Sequence, residues 1–79
     1  MNRTYVGEFN SQKIIETFDG PKSYVQVYKE ETQDGTNYVA VTKDNQEYTL
    51  MQIGDNSFTM SIGKYTYNVY PEDGDNPDL

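Results

Sequence analysis

Apolar and polar residues alternate most regularly in Phe58-Thr59-Met60-Ser61-Ile62 and again in Tyr65-Thr66-Tyr67-Asn68-Val69-Tyr70. A period of two sends successive side chains to opposite faces, so each run predicts a strand with one apolar face. Between them Gly63-Lys64 reads as a two-residue turn with glycine first, the residue that adopts positive φ at no steric cost. That hairpin sets Ile62 opposite Tyr65, Met60 opposite Tyr67 and Phe58 opposite Val69. Ser57, Thr59, Ser61, Thr66, Asn68 and Tyr70 fall on the other face.

Turns extend the pattern upstream. Gly54-Asp55-Asn56-Ser57, with Asp55-Asn56 central, predicts Met51 opposite Met60 and Ile53 opposite Phe58. A three-residue loop Asp44-Asn45-Gln46 sets Val39 against Met51 and Val41 against Thr49, whereas a two-residue loop would set Val41 against Tyr48 and reverse every side chain. A loop Gln33-Asp34-Gly35, with the glycine left-handed, pairs Val27 with Val41. The expected fold is all-β: a small antiparallel up-and-down meander of five to seven short strands, forming a curled sheet or a small barrel.

The first twenty-two residues admit two readings. A hairpin around Asn10-Ser11 pairs Val6 with Ile15 and Glu8 with Lys13. A short helix over 11–19, capped by Asn10 or Ser11 and ended at Gly20-Pro21, gathers Ile14, Ile15 and Phe18 on one side. Two isoleucines and two threonines favour the hairpin, because β-branched residues suit strands and a two-turn helix has little stability of its own. The expected domain spans 1–70. Residues 71–79, Pro-Glu-Asp-Gly-Asp-Asn-Pro-Asp-Leu, have little to bury and are expected to form a disordered acidic tail.

Composition narrows the chemistry. The chain has 79 residues, no cysteine and no histidine, which removes thiolate and imidazole chemistry together with the commonest transition-metal ligands. Glu8 and Glu16 form a carboxylate pair without a cleft, and Asp73-Gly74-Asp75-Asn76-Pro77-Asp78 lacks the sixth-position glycine and distal glutamate of a calcium loop. No catalytic residue, metal or cofactor is expected. A net charge of −7 repels nucleic acid and anionic membranes, so direct binding to either is not expected. Without an apolar leader or a run of about 20 apolar residues, the expected location is the cytoplasm.

Two surfaces remain as candidates for recognition. The expected register puts Tyr24, Tyr28, Tyr38, Tyr48 and Leu50 on the outer face, with Tyr28 beside Ala40 and Ala40 beside Leu50. Tyrosine offers a large contact area at low entropic cost, so this face is an expected partner site unless the sheet curls over it. Connections in a meander alternate between its ends, which gathers Glu30, Glu31, Asp34, Asp55, Glu72, Asp73 and Asp75 at one pole, with Asp78 behind them. Acidic residues favour solvated turns in any protein. The functional alternative is a pole that fits a basic groove, imitating nucleic-acid phosphates.

The meander across residues 3–70 resembles calycin-type barrels in topology, although the chain is shorter and has no tryptophan for their Gly-x-Trp signature, so no site carries over. The chain is also similar to the broad class of small, acidic, cysteine-free β-proteins that includes inhibitors carried by phages and other mobile elements. The expected function is therefore a non-catalytic inhibitor or regulator binding a larger protein with a basic surface, such as a nucleic-acid-handling protein. The alternatives are a small-molecule or saccharide binder and a homo-oligomeric structural subunit.

Overall fold

Period-two alternation becomes strand throughout the computed structural model, which describes residues 2–14 and 22–71. Six antiparallel strands follow in chain order: β1 (Asn2–Lys13), β2 (Lys22–Thr32), β3 (Gly35–Val41), β4 (Glu47–Gln52), β5 (Phe58–Ile62) and β6 (Tyr65–Pro71). They form an up-and-down meander closed into a barrel by pairing of β1 with β6. No helix occurs among the described residues.

Closure depends on β1, which is one continuous strand and not a hairpin at Asn10-Ser11. Its whole length runs along β2, and its second half, Phe9 to Lys13, also pairs with β6. Asn10 and Ser11, expected to turn, are buried at 3 % exposure each in that double pairing. The Asn10 amide donates to the Pro71 carbonyl at 3.2 Å, and the Tyr70 hydroxyl donates to Gln12 at 3.3 Å. Ser11, Gln12 and Lys13 are likewise strand and not helix; 15–19 of the expected helix, and the tail 72–79, lie outside the described residues. A bulge places Val6 between the pairs Tyr5↔Tyr28 and Gly7↔Val27, with Gly7 at φ +156°. The extra residue lets β1 bend from a two-strand edge into the barrel wall.

The β5–β6 hairpin has the expected register from Phe58↔Val69 through Met60↔Tyr67 to Ile62↔Tyr65, with Gly63 at φ +62°. The middle ribbon does not. Val27 pairs with Ala40 and not Val41, because the β2–β3 loop is the two residues Gln33-Asp34. Thr32 sets it: its hydroxyl accepts from the Asp34 N–H at 3.1 Å and donates to the Gly35 carbonyl at 3.0 Å. Met51 pairs with Thr59 and not Met60, because the β4–β5 loop closes with the Ile53 N–H on the Ser57 carbonyl at 2.8 Å. Each difference is one residue, so together they turn β3 and β4 over as a unit.

The β3–β4 loop keeps its expected length but shifts by one position. Thr42 pairs through its N–H with the Gln46 carbonyl at 2.9 Å, and Asn45 takes the left-handed conformation at φ 66°. Val39 consequently opposes Thr49, and Val41 opposes Glu47. Parity within the ribbon survives, which is why the inversion involves both strands together. The core is Phe9, Val25, Val27, Ala40, Leu50, Phe58, Met60 and Val69, with Tyr38, Tyr48, Ile62 and Tyr67 packed against it. Phe58 sits at its centre, with its ring centroid 4.9 Å from Tyr38 and 6.0 Å from Phe9.

Candidate functional site

Turning the middle ribbon over removes the expected tyrosine face. Tyr38, Tyr48 and Leu50 point to the interior side, Leu50 at 6 % exposure, while Tyr24 and Tyr28 stay half-buried outside. Tyr28 lies opposite Val39, not Ala40. The residues displaced outward are Met51 and Ile53, at 67 % and 59 % exposure. Both faces of β3 and β4 carry apolar residues, so alternation alone permits either inversion; the threonine hydroxyls at the turns select one.

Around Tyr28 the outer face is packed despite its exposure to solvent. Tyr5 lies beside it with ring centroids 5.3 Å apart, and the Tyr5 hydroxyl donates to Gln26, whose amide donates to Glu8 at 3.0 Å. Arg3 crosses over the Tyr28 ring at 5.5 Å. Its Nε donates to Glu30 at 2.8 Å, its two terminal nitrogens reach Glu47 at 3.0 and 3.3 Å, and one also pairs with Glu30. One guanidinium thereby ties β1 to β2 and β4 over the sheet. The hydrogen bonds from Arg3, reinforced by its charge, hold the Glu47 carboxyl below the usual carboxylate range. Glu47 first and Glu30 second raise the guanidinium above its ordinary value. Val39, opposite Tyr28 on this outer face, is only 6 % exposed. This is a local cover for the sheet, with its one positive charge already paired to two carboxylates.

Of the expected acidic pole, Glu30, Glu31 and Asp34 occur at the β2–β3 end and Asp55 in the β4–β5 turn at that same end. Glu30 is committed to Arg3, while Glu31, Asp34 and Asp55 are exposed. Asn2, Glu31, Thr32, Gln33 and Asp34 line an open hollow of about 550 Å³ there. Glu72, Asp73 and Asp75 lie outside the described residues.

The opposite end is basic. Lys13 ends β1, Lys22 begins β2, and Lys43 and Lys64 occupy the β3–β4 and β5–β6 turns. Lys13 and Lys64 place their ammonium groups 3.6 and 5.6 Å from the centroid of Tyr65. Beside them is the barrel mouth, a hollow of about 300 Å³ with Val25, Met60, Ile62 and Tyr67 on its apolar side and Lys43 and Asp44 at its rim. Alternation of the connections between the two ends puts Lys43 and Lys64 here whatever the register, whereas Lys13 arrives only because β1 is one continuous strand and does not turn at Asn10-Ser11.

No group of three or more metal-ligating side chains occurs among the described residues, and no helix among them is long and apolar enough to cross a membrane. No protein-family model, curated protein or solved structure matches the chain. The class defined on structural grounds is a small six-stranded antiparallel barrel with a filled interior and two electrostatically opposed ends.

Proposed function

We propose that the chain is a non-catalytic protein-binding module, an inhibitor or regulator that presents its acidic end to a larger protein with a basic surface. The observation carrying this reading is the segregation of charge: Glu31, Asp34 and Asp55 are exposed at one end, and four of the six basic residues stand at the other. Such a dipolar surface orients an encounter with a basic partner and makes association salt-dependent. A protein whose basic surface normally handles nucleic acid has the complementary chemistry. An inhibitor of the mobile-element kind, acting in the host cytoplasm, is the form of this reading favoured by the resemblance in size and composition.

The test reverses three charges together, Glu31→Lys, Asp34→Lys and Asp55→Lys, leaving the Arg3–Glu30–Glu47 cluster intact. Affinity capture at low and high salt is compared for both chains. The expected result is a partner retained by the original chain at low salt, released at high salt, and bound about tenfold or more weakly by the variant. A partner bound equally by both chains removes the acidic end from the mechanism.

A further inference from the structure

Ser11 stands where the alternation along β1 calls for an apolar residue. It lies two positions from Phe9 and so shares that core residue's inward face, between Ser23 on β2 and Val69 on β6. It is 3 % exposed, yet its hydroxyl makes no hydrogen bond to protein groups among the described residues, whereas the adjacent Asn10 and Gln12 side chains are bonded across to β6. Burying a hydroxyl is costly unless something bonds it. No enclosed side-chain nitrogen or oxygen among the described residues lacks a partner, so the Ser11 hydroxyl is reached from the hollow it lines at the barrel mouth.

The other walls of that hollow differ in chemistry. Val25, Met60, Ile62 and Tyr67 make an apolar side, and the β3–β4 turn brings Lys43 and Asp44 together at the rim. These two neighbours form no ion pair with each other or with any other described residue. The Thr42 hydroxyl donates to one Asp44 oxygen, so the turn presents an oriented carboxylate with acceptor capacity to spare beside an ammonium that no carboxylate holds. Lys13 and Lys64, by contrast, are drawn onto the Tyr65 ring. A purely anionic ligand would meet Asp44, and a purely cationic one would meet Lys43. The complement carries both charges on a short head, which a hydroxyl can bond as donor or acceptor, together with an apolar body. At about 300 Å³ the hollow stands at the small end of ligand sites, roughly 300–1,000 Å³.

We propose that the barrel mouth binds a free α-amino acid with a large apolar side chain: carboxylate toward Lys43, ammonium toward Asp44, the Ser11 hydroxyl bonded to the charged head, and the side chain against Val25, Met60, Ile62 and Tyr67. The site lies at the opposite end from Glu31, Asp34 and Asp55, so it is tested separately from the acidic end. The probe is L-phenylalanine, titrated into the full chain and followed by amide NMR shifts. Saturable shifts are expected at Ser11, Val25, Met60 and Tyr67 with a Kd of about 1 mM, ordinary for so small a ligand. N-acetyl-L-phenylalanine lacks the ammonium, L-phenylalanine amide lacks the carboxylate and glycine lacks the apolar body; each is expected to bind about tenfold more weakly or less.

Lys43→Gln is expected to weaken phenylalanine about tenfold and leave the amide unaffected, and Asp44→Asn, which keeps an acceptor for Thr42, to weaken phenylalanine and leave the acetylated form unaffected. Ser11→Ala is expected to weaken phenylalanine about threefold or more. The triple acid variant is expected to bind phenylalanine as the original chain does. Absence of saturable shifts at the four residues overturns the proposal whether or not the variants fold. Equal affinity for phenylalanine and either capped analogue also overturns it, because a site using one charge reads a peptide end and not a free amino acid.

Discussion

On one side of β5, five residue pairs run from Phe58↔Val69 to Ile62↔Tyr65; on the other, only Met51↔Thr59 and Gln52↔Phe58 hold it to β4. The same strand therefore borders one seam laddered along its length and one laddered over two pairs. The longer ladder follows from a tight turn, Gly63-Lys64, that starts pairing at the mouth and lets it propagate. The β4–β5 ladder begins from the other end, after the longer loop around Gly54-Asp55-Asn56, and ends after two pairs while the barrel stays closed. Backbone pairing is thus distributed unevenly around a closed barrel.

The largest expected effect comes from removing the residue that serves both seams. Phe58 pairs with Val69 and Gln52, and its ring packs on Tyr38 and Phe9. Phe58→Ala is expected to cost about 3–5 kcal/mol, measured by urea unfolding, which is enough to unfold a domain of this size. A loss below about 1 kcal/mol would show that the two seams do not share a core.

Leu50→Ala and Met51→Ala sharpen the comparison on the β4 side. Leu50 is 6 % exposed and Met51 is 67 % exposed, so their expected costs are about 2–5 kcal/mol and about 0.5 kcal/mol or less. The reverse ranking would restore the register in which Met51 opposes Met60. These neighbours show why the fold class was legible while half of the candidate site was not. Tyr38, Ala40, Tyr48 and Leu50 make one apolar stripe on β3 and β4, and Val39, Val41 and Met51, continued by Ile53 just past β4, make another. Burial of either stripe gives a β meander, so the architecture does not depend on the choice.

What decides between the stripes is turn chemistry. Thr32-Gln33-Asp34 and Thr42-Lys43-Asp44 both open with a threonine whose hydroxyl enters the turn, accepting from the Asp34 N–H in the first and from the Gln46 N–H at 3.2 Å in the second. That repeated Thr-x-Asp was visible in the sequence and is the signal the hydrophobic pattern lacked. The charged ends were legible for a different reason: a one-residue slip exchanges faces but leaves each turn at its own end of the barrel. By contrast, the Arg3 cluster joins residues 27 and 44 positions apart, a relation that no local pattern encodes.

Gly63→Ala targets the start of the longer ladder. Gly63 sits at φ +62°, with no atom near enough to obstruct an added Cβ, so the expected cost is the conformational penalty alone, about 1 kcal/mol. Ser61→Pro, on the sparsely laddered β4 side of β5, is expected to cost less because the fold does not use its N–H in a ladder. If Ser61→Pro proves the more damaging of the two in thermal unfolding, the asymmetry between the seams is wrong.

The smallest expected effect concerns Glu47, the first residue of β4, which Arg3 holds from across the sheet. Its carboxyl is depressed in the folded chain by the Arg3 hydrogen bonds and charge, relative to the unfolded value. The folded state therefore binds its proton less readily, and the resulting stability is present above the ordinary carboxylate range and lost as pH falls through and below it. Glu47→Gln removes that dependence while retaining a hydrogen-bond acceptor. Acid titration of stability is expected to have a shallower slope in the variant below the ordinary glutamate range, with a small difference at neutral pH because the pair is solvent-exposed.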